Sequence, residues 1–301
     1  MNLKYYKFLI LCCAFQLSWS QTGLNSFLKP SDSLHKGRFK AVLVTEGSLV
    51  GVSLIGLNQL WYANYPKSKF HTINDSDEWL QMDKLGHTFS AYQLSRLGAQ
   101  SFEWAGANKN KQLVYGASLS LGFLTAVEVM DGFSAEWGFS WSDMAANVSG
   151  AGLFVGQELL WKEQRIKLKY SFHRTRFAPQ RPNKLGNGLN EEFLKDYNGQ
   201  TYWLSINPHS FFKQSNLPKW LNVAVGYGAS GMLSGRSETL PHINQNRFRQ
   251  FYLSFDVDLE RIETQSAFLK TLFSVINVVK VPLPTLEFTN DSRLKWHAFY
   301  F

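Results

Sequence analysis

Two hydrophobic periods divide this chain, and no single type of element can satisfy both. Up to about residue 165 the apolar residues form long blocks or recur at helical spacing; beyond residue 200 they alternate. In "RQFYLSFDVDLERI", Phe251, Leu253, Phe255, Val257 and Leu259 fall on one face, and Tyr252, Ser254, Asp256, Asp258 and Glu260 on the other. The expected fold class is α+β: an N-terminal four-helix bundle over residues 37–165, then a small, mostly antiparallel, strand-rich section over 201–301 containing one helix. The polar, turn-rich run 178–200, with "APQRPNKLGNGLN", is expected to be a linker.

The helical half has four segments. Ala41 to Leu57 is apolar except for Thr45, Glu46 and serines, and would span roughly 25 Å, at the lower limit for crossing a bilayer. An amphipathic segment runs from Glu78 or Asp83 to Trp104, an apolar one from Leu113 to Met130, and the last follows "SWSD" to Trp161. Glycines recur in them: Gly47 and Gly51, Gly116 and Gly122, and Gly150, Gly152 and Gly156. Glycine costs a water-exposed helix about 1 kcal/mol against alanine, so its repeated use predicts close backbones, with small-xxx-small spacing at Gly47/Gly51 and Gly152/Gly156.

In the strand-rich half, strands are expected at Thr201 to Ile206, Leu221 to Tyr227 and Leu294 to Phe301, with a helix inside Ser266 to Lys280 closed by Pro282 and Pro284. Four or five strands fall short of the eight a transmembrane barrel needs. The terminal "KWHAFYF" resembles the end of an outer-membrane barrel, but period two puts Lys295 and His297 on one face with Phe299 and Phe301. The expectation is therefore a small sheet packed on the bundle or on a membrane surface.

The first twenty residues point to export. Lys4 and Lys7 precede the apolar run Phe8 to Leu17, and Ser18-Trp19-Ser20 suits a signal peptidase, so residues 1–20 read as a signal peptide cut before Gln21. Both cysteines, Cys12 and Cys13, lie inside it, and Leu11 stands where a lipobox wants a small residue. Without Lys4 and Lys7 the formal charge falls from +8 to +6. Much of the excess lies between Trp161 and Gly186, where Lys167, Lys169, Arg174 and Arg176 stand among aromatics. In an exported protein this segment reads either as a solvated surface or as a partner for anionic headgroups, not for nucleic acid. If all four helices crossed the inner membrane after a cleaved signal, that basic stretch would lie outside, against the usual bias of basic residues toward the cytoplasm. A periplasmic or outer-membrane location of a diderm bacterium is expected instead, with membrane lipid or envelope proteins as partners. "GYGASG" at 226–231 opens no convincing helix and has no acid about twenty residues on, so no nucleotide is expected either.

The polar residues of the helical half converge. Asp83 and His87 are one turn apart, Glu128 and Asp131 close the third helix, and Asp143 and Asn147 open the fourth. In an antiparallel bundle these ends lie together, with Lys84, beneath the loop "GFSAEWGFSWS". A histidine among His87, Glu128, Asp131 and Asp143 could hold a divalent metal and activate water, or work as general acid and base. The bland alternative is a structural network in which Asp83 and Ser140 cap helices and His87 satisfies buried carboxylates. Trp137, Phe139 and Trp141 in the loop could instead contact a membrane or partner.

"DKLGH" with Tyr92 five residues on, then "EVMDGFSAEWGFSWSDMAANVSG", resembles the uncharacterised YfiM-like family of predicted periplasmic lipoproteins. More distantly it is similar to VanZ-like membrane proteins, which share the order Asp-Lys-x-x-His, Glu, Asp, Asn, Gly. The likeness covers roughly residues 40–165 and implies an envelope protein without an established activity. The expected role is structural or lipid-associated in the cell envelope, with a metal-dependent hydrolase of an envelope lipid or glycan as the alternative.

Overall fold

The computed structural model describes residues 23–63, 65–237, 246–290 and 293–301; the expected signal peptide lies outside them. Its main helices are α1 (Lys36–Leu57), α2 (Met82–Trp104), α3 (Lys109–Gly132), α4 (Trp141–Trp161) and α5 (Ala267–Ile276). The strands β1 (Ile166–Phe172), β2 (Gln200–Ile206), β3 (Leu221–Ser230), β4 (Phe248–Val257), β5 (Leu283–Thr289) and β6 (Leu294–Tyr300) form one antiparallel meander in chain order. The fold is therefore a mixture of helix and sheet, as the change of period implied.

The tightest helix crossings among the described residues join α2, α3 and α4. A Cβ on Gly116 of α3 would stand 2.4 Å from the carbonyl oxygen of Ser95 in α2, and one on Gly150 of α4 would stand 2.1 Å from that of Thr88. Only hydrogen fits at these two crossings. Gly47, Gly51, Gly152 and Gly156, whose spacing predicted close contact, face open space instead. The sequence shows where glycines recur but not which side of the helix meets a neighbour. Among the residues of α1, only Val42 is buried.

The basic stretch after α4 enters the sheet. β1 carries Lys167 and Lys169 inward, which corrects the expectation that they contact lipid headgroups: Lys167 Nζ pairs with Asp258 at 2.8 Å, and Lys169, 0% exposed, pairs with Asp256 at 2.7 Å. The run 178–200 is likewise not a bare linker; it contains the short helices Pro182–Leu185 and Leu189–Lys195, whose Leu185 and Glu192 are buried.

The sheet is strongly curled. Adjacent strands lie about 4.8 Å apart, so in a flat sheet β1 and β4 would be about 14 Å apart and β2 and β6 about 19 Å. Yet Lys169 of β1 reaches Asp256 of β4, and Thr201 of β2 meets the hydroxyl of Tyr300 of β6 at 3.0 Å. The concave face encloses Trp203, Tyr252 and Tyr300 with Ser205, Asn222 and Thr285, all buried. Gly226 makes room there, since a Cβ would lie 2.7 Å from the Trp203 ring. Segment 278–280 runs along the outer edge of β1: Tyr170 N–H donates to Val278 O, and Lys280 N–H to Tyr170 O.

A register shift between β5 and β6 revises the reading of the terminal strand. Thr285 pairs with His297 but Leu283 with Tyr300, so two steps along β5 face three along β6. Pro284 sits at this irregularity, where a strand tolerates proline. The extra residue breaks the alternation: His297 bonds inward to Glu287 at 2.7 Å, while Phe299 is 77% exposed.

α2 covers the convex face at β1 and β2, with Gln93 donating to Leu168 O at 2.5 Å and Phe89 against the rings of Tyr170 and Tyr202. Gly150→Ala should destabilise the protein by about 1–3 kcal/mol, because backbone opposes the new methyl. Gly152→Ala, in open space two residues on, should stabilise it by up to about 1 kcal/mol. Chemical denaturation of the two variants measures the contrast; equal effects would mean that α2 and α4 do not cross at Gly150.

Candidate functional site

The antiparallel order of α2, α3 and α4 brings the start of α2, the end of α3 and the start of α4 to one place. The approach to α2 is costly. Trp79, Leu80 and Gln81 have φ of 50°, 51° and 66°, and left-handed backbone costs about 1–2 kcal/mol for each non-glycine residue. The sheet holds this turn: Tyr227 O–H donates to Leu80 O at 2.6 Å, and Arg249 donates to the Gln81 side chain at 2.9 Å. The strained turn therefore sets how the first residues of α2 meet the other helix ends. The sequence reading expected Asp83 to cap α2; instead Gln81 occupies the cap position, without a side-chain hydrogen bond, and Asp83 lies in the first turn.

Lys84 is the hub. Its Nζ stands 2.7 Å from Asp75, 3.0 Å from Asp83 and 2.6 Å from Asp143, joining the loop before α2, α2 itself and α4. Asp75 also accepts from the hydroxyls of Ser140 and Ser142, and Ser140 Oγ accepts from Asp143 N–H, which caps α4 as its spacing predicted. A two-residue parallel bridge, Thr72–Ile73 on Phe139–Ser140, brings these segments together.

His87 lies beside the hub. Its Nδ1 donates to Asn147 Oδ1 at 3.1 Å, while Nε2 stands 3.6 Å from Glu128 and 3.9 Å from both Asp83 and Asp143. Glu128, 1% exposed, accepts from Ser140 N–H through one oxygen; its other oxygen, Oε1, has no hydrogen bond, nor does Asn147 Nδ2. Asp131 accepts from Tyr62 O–H at 2.8 Å and Asp83 from Tyr197 O–H at 2.7 Å. A cavity of about 260 Å³ opens on His87, Asp83, Asp131 and Asp143, walled by Tyr62, Trp137 and Tyr197. All seven residues expected in the polar cluster are thus at this site. Asp75, Tyr62 and Tyr197 join them from segments that have no spacing relation to the cluster motifs.

Charge governs the protonation states. Burial pushes His87 down, but the carboxylates of Asp83, Asp143 and Glu128 and the bond to Asn147 outweigh it and raise its pKa above 6.5. Burial and the neighbouring Asp83 raise Asp143 to about 7, against the pull of His87 and Lys84. For Asp75 the penalty of burial is overcome by Lys84, Ser140 and Ser142, which lower it to about 2. As for metal ligands, one donor atom each from Asp83, His87 and Asp143 lie within 4.8 Å of one another. The Lys84 ammonium already neutralises two of these groups, so a divalent ion would have to share or displace it.

The residues considered for membrane contact are dispersed. Phe139 is buried against Phe70 and Trp141, and Trp137 packs edge-on to Tyr62 and Tyr65. Trp141 is 70% exposed, Arg174 pairs with Glu192, and Arg176 lies over Phe177.

Residues 73–157 match a family model described as predicted periplasmic lipoprotein (DUF2279), which spans all seven cluster residues. The match bears out the resemblance to that family and agrees with export to the periplasm or outer membrane. It does not extend to VanZ-like proteins. No curated protein and no solved structure matches the chain.

His87 and Asp143 both have folded pKa values above their unfolded ones. Their stabilising contributions are therefore complete at low pH and are lost as pH rises: for Asp143 from 3.8 to about 7, and for His87 from 6.5 upward through its raised value. Asp75 runs the other way, contributing above pH 3.8 and losing its share as pH falls toward about 2. The melting-temperature difference between the parent and His87→Gln should accordingly shrink as pH rises above 6.5. A difference that stays constant or widens would show that His87 is not held as a cation.

Proposed function

We propose that the protein is an exported, membrane-associated envelope protein with a structural or lipid-associated role, in which the Lys84 centre locks the helix ends together. The observation that carries this reading is the ammonium of Lys84 within 3.0 Å of carboxylates from three separate segments. A cation already shared by three acids favours a lock over an open metal site, and pairing is the ordinary fate of buried charge.

A second reading, a metal-dependent hydrolase of an envelope lipid or glycan, is favoured by one specific feature. Glu128 Oε1 is buried without a hydrogen bond beside His87, next to a cavity rimmed by Asp131 and Asp143. A concave, partly apolar pocket with shifted acids at its floor is the usual setting for acid–base or metal-assisted chemistry. Here His87 would be neutral and would join Asp83 and Asp143 around the ion.

Metal analysis of the purified protein and of His87→Ala, with melting temperatures with and without chelator, separates the two. For the lock, we expect no stoichiometric metal, no chelator effect and a melting temperature lowered by roughly 5–15 °C in the variant, since Glu128 loses the cation facing it and Asp83 and Asp143 keep only Lys84. Stoichiometric metal that disappears in the variant would replace the lock with the hydrolase. Lys84→Ala should lower the stability of the protein by about 3–5 kcal/mol in chemical denaturation, because it leaves Asp75, Asp83 and Asp143 without the ammonium they share.

A further inference from the structure

The curled sheet is inverted relative to a sheet that faces water. On its concave side it encloses ion pairs and polar groups; Lys169, Asp256, Glu287 and Lys280 are all at most 2% exposed. On its convex side β3, β4, β5 and β6 present Val225, Leu253, Phe255, Phe288 and Trp296, and all five are among the exposed apolar residues, Phe255 at 55% and Trp296 at 64%. An antiparallel sheet with one solvated face normally places its polar residues there. Polar inside and apolar outside, the alternation seen along β4 and β5, is the pattern of sheets that face lipid.

We propose that the convex face of β3 to β6 seats among the acyl chains of a lipid bilayer, a proposal that rests on the lipid-associated reading and assigns it a surface. Four observations choose lipid over a protein partner. β3 and β4 are ten residues each, within the 9–11 that a tilted strand needs to cross the hydrocarbon. Of the strands in this face, β3, β4 and β5 each lie between two partner strands, as a medium without hydrogen-bonding partners favours, and only the outer edge of β6 has no partner strand among the described residues. At the start of β3 the exposed Phe212 and Trp220 stand in the same short segment as the exposed Lys213, an aromatic and cationic combination suited to anionic headgroups. Finally, the exposed apolar surface is not one patch. α1, long and apolar enough to cross a membrane and 6% buried over its most apolar window, also exposes Leu43, Leu49, Val52 and Ile55. A bilayer covers a sheet and a separate helix together, whereas a standard protein interface buries only about 800 Å² on each partner.

The test uses the full chain reconstituted into vesicles of phosphatidylethanolamine and phosphatidylglycerol. The cysteines of the sequence, Cys12 and Cys13, lie in the signal segment, so Leu253→Cys or Phe255→Cys in the processed protein supplies a thiol for a fluorophore on the sheet. Val52→Cys reports on α1, and Glu263→Cys, whose side chain is 83% exposed, reports on a hydrophilic site. Lipids brominated on their acyl chains should quench the sheet labels at least twofold more than the Glu263→Cys label. Quenching at Val52→Cys with sheet labels no more quenched than Glu263→Cys would overturn the sheet assignment and leave membrane association standing. No quenching at any site, with failure to float with vesicles, would overturn both. Sheet labels shielded from bromolipid in a protein that sediments as a dimer would give this face to a second copy of the chain. Photolabelling of the unsubstituted protein by a diazirine lipid, with peptide mapping of residues 221–257, repeats the test without any variant; absence of label there together with label in residues 36–57 overturns the proposal.

Discussion

One ammonium group organises the helical half. Lys84 draws Asp75, Asp83 and Asp143 to a single point, where the bridge of Thr72–Ile73 to Phe139–Ser140 and the packing of α4 on α2 also bring their segments together. Three carboxylates with so little exposure would repel one another strongly without it, and the serine hydroxyls that complete Asp75 would have nothing to orient them. His87 supplies a second positive charge one turn along α2, facing Glu128 at the end of α3. The crossings at Gly116 and Gly150 then follow, because helices whose ends are pinned together can approach along their length only where no side chain intervenes.

The sheet depends on the same physical rule in another setting. Lys169 and Asp256 are completely buried, so they must be paired, and they can be paired only if the sheet curls. Curling places the apolar alternation outside. The two halves meet where α2 lies on β1 and β2 and where Tyr227 and Arg249 brace the left-handed turn before α2. The geometry of the polar centre is thus tied to the sheet and not to the helices alone.

Much of the polar centre was legible because helical spacing is local. Asp83 with His87 and Asp143 with Asn147 are each four residues apart, and short connections force α2, α3 and α4 to run antiparallel, so their polar ends had to coincide. Asp75, Tyr62 and Tyr197 were not legible, since Asp75 and Tyr197 arrive through irregular backbone and Tyr62 through a π-helical turn after α1, none of which the helical period encodes. The same limit explains the glycines: spacing marks a small-residue face but does not choose between Gly150, which meets Thr88, and Gly152, which meets nothing.

By itself the sequence determined the class of fold, the period of each half and the seven members of the polar cluster carried by α2, α3 and α4, because these follow from side-chain chemistry at fixed intervals along the chain. Tertiary structure decided which face of each strand turned inward. Alternation in β4 separates Phe251, Leu253 and Phe255 from Tyr252, Ser254 and Asp256, and in water the first set would be expected inside. An ion pair from Lys169 of β1 and the hydroxyls of Thr201 in β2 and Tyr300 in β6 enclose the second set instead. Period two distinguishes two faces and is blind to which one is buried, and that choice rests on partners brought from elsewhere in the chain.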